Sequence, residues 1–255
     1  MLKKGEIAAR IYDNVAAKVK SDMKVKDARI GLGYVAVRLN NDRTGLSAVL
    51  LHELASGCQV FQKPGTLEGS DPLELLKLLV DGRSPLERAL GLATANALTD
   101  LPSRISTEDS IDLMALQAGD QVAMIGFFPP LVKRIQEMAI PLNIIERNPQ
   151  RAPLLSEEEK KRILQQCSVA IITATSILNA TIEEVLNDLE APRHVAVLGP
   201  STPMIREVFE STPVNHLGGA VVSAPAKVIQ IVSEGGGTPA MRPYLNFVNL
   251  VWNRT

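Results

Sequence analysis

Along the first twenty residues, apolar side chains recur every fourth position, at Ile7, Ile11, Val15 and Val19. That spacing puts them on one stripe and predicts a helix over residues 3–20 with one buried face. The period then changes. "ARIGLGYVAVRLN" and "TGLSAVLLHEL" read as two strands, and the turn-rich "NNDRTG" between them predicts a hairpin. "SGCQVFQKPG" reads as a short strand or loop. Two helix starts come next. In "DPLE", Asp71 is the N-cap, Pro72 the first helical position and Glu74 the closure of a capping box; "SPLE" repeats the device with Ser84, Pro85 and Glu87. The helix after it, "SPLERALGLATANAL", is rich in Ala and Gly and suited to close packing. These elements make an α+β unit. Mixed, turn-rich residues 99–120 mark its end, so the expected domains are 1–105 and 106–255.

From residue 121 short apolar runs alternate with helical patterns. The strands are "QVAMIGF", "PLNIIER", "SVAIITAT", "HVAVLGP" and "LGGAVV". Between and after them come "PPLVKRIQEM", "SEEEKKRILQQC", "TIEEVLNDL", "PMIREVFES" and "APAKVIQIVSEGG". Ser156 with Glu159, and Thr181 with Glu184, are candidate capping boxes. Continuous apolar runs suit parallel strands covered on both faces. Five such units predict an α/β, Rossmann-like doubly wound sheet, with expected strand order 3-2-1-4-5. The tail "RPYLNFVNLVW" puts Tyr244, Phe247 and Val251 on one helical face beside Trp252, which reads as packing.

One internal match bears on function. Shifted by 73 residues, "VAMIGFFPPLVKR" lies over "VAVLGPSTPMIRE". Both read strand, Gly-x-x-x-Pro, helix. Glycine releases the strand, and proline suits a first helical turn. In the expected order the two loops flank the crevice where the winding reverses, with helix N-terminal N–H groups suited to an anion or carbonyl. That nominates Gly126, Phe127, Phe128 and Pro129 in one loop and Gly199, Pro200, Ser201 and Thr202 in the other. Plain turn chemistry is the competing reading, and Thr202 reads as a helix cap. Glu146 ends the second strand where nucleotide-binding sheets hold ribose; a surface acid is the alternative. Thr173, Thr175, Ser176 and Asn179 place hydroxyls and an amide at the third strand's end, and Thr181 reads as a cap only. His216 stands at a strand start, away from that edge.

Composition narrows the function classes. Of 255 residues 45% are hydrophobic and 22% charged, and the formal net charge is −1. Nothing in this balance points to nucleic acid or a membrane surface. No apolar run reaches the roughly 18 residues of a span, and the amphipathic start is not a signal peptide. Two cysteines in unrelated contexts suit a reducing, cytoplasmic setting. P-loop, G-x-S-x-G, H-E-x-x-H and C-x-x-C motifs are missing. "GFFPP" has too few glycines for ordinary dinucleotide binding. His52, Glu53 and Cys58 could meet a distant partner in a soft-metal cluster, but a histidine at a strand end reads more simply; no metal site is expected.

"SPLERALGLATANAL", "TATSILNATIEEVL" and "VLGPSTPM" resemble signature segments of the bacterial and archaeal family called putative heavy-metal chelation. The resemblance covers nearly the whole chain. It implies an enolase N-terminal-like domain, a Rossmann-like domain similar to methyltransferases, and a site between them. It adds Asn96, an amide in a helix of small apolar residues, to Thr173, Ser176, Asn179 and the 199–203 loop; capping a neighbouring loop is its other reading. The implied function is binding, and processing by condensation or hydrolysis, of a small heterocyclic metabolite such as a pterin, flavin or siderophore-like chelator. Direct heavy-metal binding and S-adenosylmethionine-dependent methyl transfer are the alternatives. A small-molecule ligand is the expected partner, and homo-oligomerisation stays open. These residues name no cofactor and no reaction.

Overall fold

The computed structural model describes residues 1–54 and 60–253, so Cys58 and part of "SGCQVFQKPG" lie outside the described residues. Residues 60–65 form bends and a turn rather than a strand. Helix α1 (Glu6–Ala16) buries Ile7, Ala8, Ile11 and Val15, the predicted stripe. Its start is held from far away: Glu183 Oε1 accepts the Ile7 N–H at 3.0 Å, and Leu2 and Asn187 exchange two hydrogen bonds.

The hairpin is one strand richer than predicted. "ARIGLGYVAVRLN" folds back on itself, its Gly31–Gly33 segment joining β1 (Val25–Ile30) to β2 (Tyr34–Leu39). With β3 (Thr44–Ala48) these form an antiparallel sheet in the order β1-β2-β3. Helices α2 (Pro72–Asp81) and α3 (Pro85–Leu98) come after it. Asp71 and Ser84 cap them through the Leu73 and Glu87 N–H groups, with no reciprocal bond from Glu74. Glu87 reaches the Arg83 N–H instead of its own cap. Helix α3 is buried almost throughout. A Cβ on Gly45 would stand 2.1 Å from the Ala93 carbonyl oxygen, so only glycine lets β3 lie this close to α3.

The second sheet has six strands in the order β5-β4-β6-β7-β8-β9. Strands β4 (Val122–Ile125), β5 (Leu142–Ile145), β6 (Val169–Thr173), β7 (His194–Leu198) and β8 (His216–Val222) are parallel. Short α4 (Ser110–Met114) precedes them, and α5 (Pro129–Glu137), α6 (Glu157–Gln166), α7 (Ile182–Asp188), α8 (Arg206–Phe209) and α9 (Pro225–Ser233) follow each in turn. Both faces are covered, which explains the unbroken apolar runs. Val122, Met124, Val169 and Ile171 join Ile111, Met114 and Ile135 on one side. Ala123, Ile125, Ala170 and Ile172 join a larger core that runs on into α1 and α3. Val228, Ile229 and Val232 of α9 pack on Ala36 and Leu46, so α9 also covers the small sheet.

Two expectations fail here. The predicted tail helix is instead α10 (Thr238–Met241), a 3-10 turn and strand β9 (Leu245–Val251), antiparallel to β8. The strand order is 2-1-3-4-5 for the five parallel strands, not 3-2-1-4-5. The residues just before β4, β6 and β7 supply the physical reason. Asp120 Oδ1 accepts from Ser168 Oγ at 2.6 Å and from Arg193 Nε at 3.1 Å. This tie fixes the entrances of those three strands side by side. A reversal after the third strand, as expected, would have pulled β6 away from β7. Ser156 and Glu159 form the full capping box; Thr181 makes no cap bond and donates to Asn179 Oδ1 instead.

Candidate functional site at the carboxyl edge

In this order the winding reverses between β4 and β6, and ligands of open α/β sheets bind outside the strand ends at such a point. Gly126 leaves β4 with φ 93°, and Gly199 leaves β7 with φ 119°; both occupy the left-handed region that favours glycine. A Cβ on Gly126 would fall 2.8 Å from Thr173 Cγ2, so the β4 loop sits directly against the end of β6. The two Gly-x-x-x-Pro loops are therefore not side by side, because β6 stands between their strands. They still meet: the Phe128 ring reaches to 3.9 Å from where a Gly199 Cβ would be.

The two loops also differ in how they lead into their helices. Pro129 and Pro130 open α5 directly, and neither has an N–H. The next two N–H groups, of Leu131 and Val132, both donate to the Phe128 carbonyl. After Gly199 the chain makes a turn, Thr202 N–H to Gly199 O, and α8 begins only at Arg206. Thr202 is not its cap; its Oγ1 is buried without a partner. The expected pair of anion-binding helix ends is thus absent: prolines and loop carbonyls consume one, and distance removes the other.

Several nominated residues act as ties. Ser201 Oγ accepts the Ala48 N–H at 2.8 Å, and Asn96 Nδ2 donates to the carbonyls of Leu46 and Ser201 at 2.9 and 3.0 Å. Asn96 does bind the neighbouring loop, although its Oδ1 is buried and unpartnered. Pro200 and Pro129 shape the turns, the first half-buried and the second exposed. Ser176 is buried with its hydroxyl donated to the Thr173 carbonyl. Glu146 closes its own turn, taking the N–H groups of Arg147 and Asn148 on Oε1.

What faces the rim is smaller. Half-buried Thr173 and Thr175 share a hydroxyl–hydroxyl bond of 2.9 Å. Phe127 and Phe128 are half-buried at the β4 turn. Asn179 Nδ2 donates to Glu53 Oε1 at 3.0 Å, and Arg147 Nη1 to the same oxygen at 2.8 Å. Glu53 belongs to a 3-10 turn, Leu51–Glu53, just after β3. The chain from Ala48 to Glu53 is thus pinned to the β7 loop at one end and to the β5 and β6 loops at the other. It straps the small sheet across the carboxyl edge of the large one. Sequence reading weighed Glu53 only as a partner of His52, whose Nε2 stands 3.6 Å from Glu53 Oε1. No local pattern marks a residue whose partners lie 94 and 126 positions away.

Other polar features lie elsewhere. His194 Nε2 and His216 Nδ1 are 3.0 Å apart, and His216 Nε2 bonds Asn249 Oδ1 at 2.9 Å, all at the amino ends of β7 and β8. Burial pushes the His216 imidazole below its usual pKa. A cleft of about 490 Å³ between α1 and α8 is lined in part by Arg10, which already donates to Val208 O, Ser211 Oγ and Glu6. Among the described residues, no three His, Cys, Asp or Glu side chains stand close enough together to hold a metal ion. Among them, too, no helix is long and apolar enough to cross a membrane.

Two family models, both described as putative heavy-metal chelation, match residues 109–251 and 12–99. The chain belongs to this family. An uncharacterised protein of Methanocaldococcus jannaschii is 24% identical over 228 residues, 86% of this chain and 84% of that one. Two solved structures of DUF364-family proteins of unknown function share the fold at 22% identity. That from Pyrococcus horikoshii has a TM-score of 0.81, covering 96% of this chain and all of its own. That from Desulfitobacterium hafniense has a TM-score of 0.78, covering 96% and 98%. These two family members share the overall fold of this chain.

Proposed function

We propose that this protein binds, and processes by condensation or hydrolysis, a small heterocyclic metabolite linked to heavy-metal chelation, at the carboxyl edge between β4, β6 and the 48–53 strap. Pterins, flavins and siderophore-like chelators are the candidate classes, and residues 1–105 and 106–255 are the two domains that would enclose the ligand. The observation that carries the reading is that aromatic surface after β4, the Thr173–Thr175 hydroxyl pair at the end of β6 and a carboxylate from the small sheet, tied to the β5 and β6 loops, all lie along the carboxyl ends of neighbouring strands. Sites for small organic ligands combine apolar walls with a few convergent polar groups in this way. The ligand does the chelating; the described protein side chains form no metal-ligand set of their own. Cytoplasmic location fits such a role.

Native mass spectrometry of freshly purified protein tests this, together with a melting-temperature screen with pteridines, flavins, catecholates and S-adenosylmethionine. A co-purified or stabilising heterocycle supports the reading. Stoichiometric calorimetric binding of nickel, cobalt or zinc, with no response to any organic ligand, would replace it by direct metal binding.

A further inference from the structure

Glu53 has a distribution of partners that says more about the ligand than the rim as a whole. Its side chain is 18% exposed. Both hydrogen bonds it accepts, from Arg147 and Asn179, fall on Oε1. Among the described residues no group donates to Oε2. A carboxylate has about four acceptor positions, two on each oxygen. Two are filled, which fixes the plane of the group, and the two on Oε2 are left. Arg147 follows β5 and Asn179 follows β6, and β4 runs between those strands. Glu53 is therefore tied to the loops on either side of β4, whose own turn carries Gly126, Phe127 and Phe128.

Much of the backbone N–H supply around the β4 and β5 turns is already taken. The prolines of α5 remove two N–H groups, Phe128 O takes two more, and Glu146 takes those of Arg147 and Asn148. The Arg147 guanidinium is itself engaged by Glu53. We infer that Glu53 selects the ligand, and that it selects a planar heterocycle bearing an aminated edge, a ring N–H beside an exocyclic amino group, over one whose edge carries carbonyls. The inference rests on the heterocycle-binding reading above. A carbonyl beside Oε2 would set acceptor against acceptor, while an amino group in the same place gives it a donor. Sites that pair a ligand's hydrogen-bonding groups discriminate against analogues that leave a partner unpaired.

A matched pair of probes tests it: pterin, with a 2-amino group, and lumazine, the same ring with a carbonyl there. Fluorescence titration of the full chain is expected to give about ten-fold or greater preference for pterin. In Glu53→Gln the ratio should fall below about three-fold, because the amide keeps Oε1 for Arg147 and Asn179 but replaces the free acceptor by a donor. A melting temperature close to wild type confirms that the variant is folded, and the wild-type ratio needs no variant at all. Equal binding of the two probes by wild type overturns the inference, as does an undiminished preference in Glu53→Gln. Binding of riboflavin without pterin overturns it too, while leaving heterocycle binding intact. If no heterocycle binds, both fall together.

Discussion

Both edges of the six-stranded sheet carry polar side chains, but they use them differently. At the amino edge the donors and acceptors close on one another. Asp120 takes Arg193 on both oxygens, Ser168 on one and the Gln117 N–H on the other. His216 bridges His194 and Asn249, and Asn249 takes Ser110 and donates to the Glu108 carbonyl. At the carboxyl edge, among the described residues, the hydroxyls of Thr173 and Thr175 bond each other and their own turn, and both bonds that Glu53 accepts fall on one oxygen. Completed networks in low dielectric fix a structure; incomplete ones at an open edge are where a ligand can add bonds. Residue type alone would have picked the histidines as the site. Hydrogen-bond completion points to the opposite end.

The sharpest way to break this comparison is Asp120→Ala. It leaves the Arg193 guanidinium without its carboxylate and unties the entrances of β4, β6 and β7. The expected cost is about 3 kcal/mol, read by urea denaturation. Ligand affinity of the folded fraction should not change. His216→Leu comes next, at about 2 kcal/mol, because it removes a shared partner of His194 and Asn249. A loss of ligand binding with unchanged stability in either variant would invert the assignment of the two edges.

The same edge should be sensitive to acid in two windows. His216 has a folded pKa below its ordinary 6.5, so the unfolded chain takes up its proton first. Its contribution is complete above that value and drains away as pH falls below it. Asp120 is held far below the ordinary aspartate range, first by its hydrogen bonds from Arg193. Its contribution is complete above about 4 and is lost as pH falls further. Stability measured against pH should show both declines; His216→Leu should abolish the first and Asp120→Ala the second.

These contrasts also explain what could be read in the chain. The five βα units were legible because a covered parallel strand leaves an unbroken apolar run, as in "SVAIITAT" and "HVAVLGP". Their order was not, because the contacts that accompany it, such as Asp120 with Ser168 and Arg193, join partners 48 and 73 positions apart. Strand β9 reads as a helix in sequence because Tyr244, Phe247 and Val251 fit a helical period, whereas the buried Asn249, which bonds His216, Ser110 and the Glu108 carbonyl, carries no local signal. Gly126, Thr173 and Asn179 were nominated from strand-end chemistry and do meet the rim. Ser201, from the same strand-end chemistry, and Asn96, from the family resemblance, instead act as ties: Ser201 Oγ accepts from Ala48, and Asn96 donates to the Leu46 and Ser201 carbonyls. Distinguishing a tie from a free group requires the partner, and the partner is remote.

Ser201→Ala sharpens that last distinction. It removes the acceptor of the Ala48 N–H and should cost about 1 kcal/mol. It loosens the strap at the end far from Glu53, so ligand affinity should fall modestly and in step with stability.

The smallest expected change in stability, and the most diagnostic, belongs to Thr175→Val. The Thr175 hydroxyl has one side-chain partner, the equally half-buried Thr173 hydroxyl, and valine keeps its shape. Stability should move by no more than about 0.5 kcal/mol. Two hydroxyls sharing one bond still have a donor and acceptor positions to spare. If those positions serve a bound heterocycle, affinity drops several-fold while the melting temperature of the free protein stays put. A tie behaves like Ser201, losing stability and binding together; a ligand-facing group loses binding alone. Should Thr175→Val bind as well as wild type, the ligand does not reach β6, and the carboxyl edge contracts to Glu53 and the β4 turn.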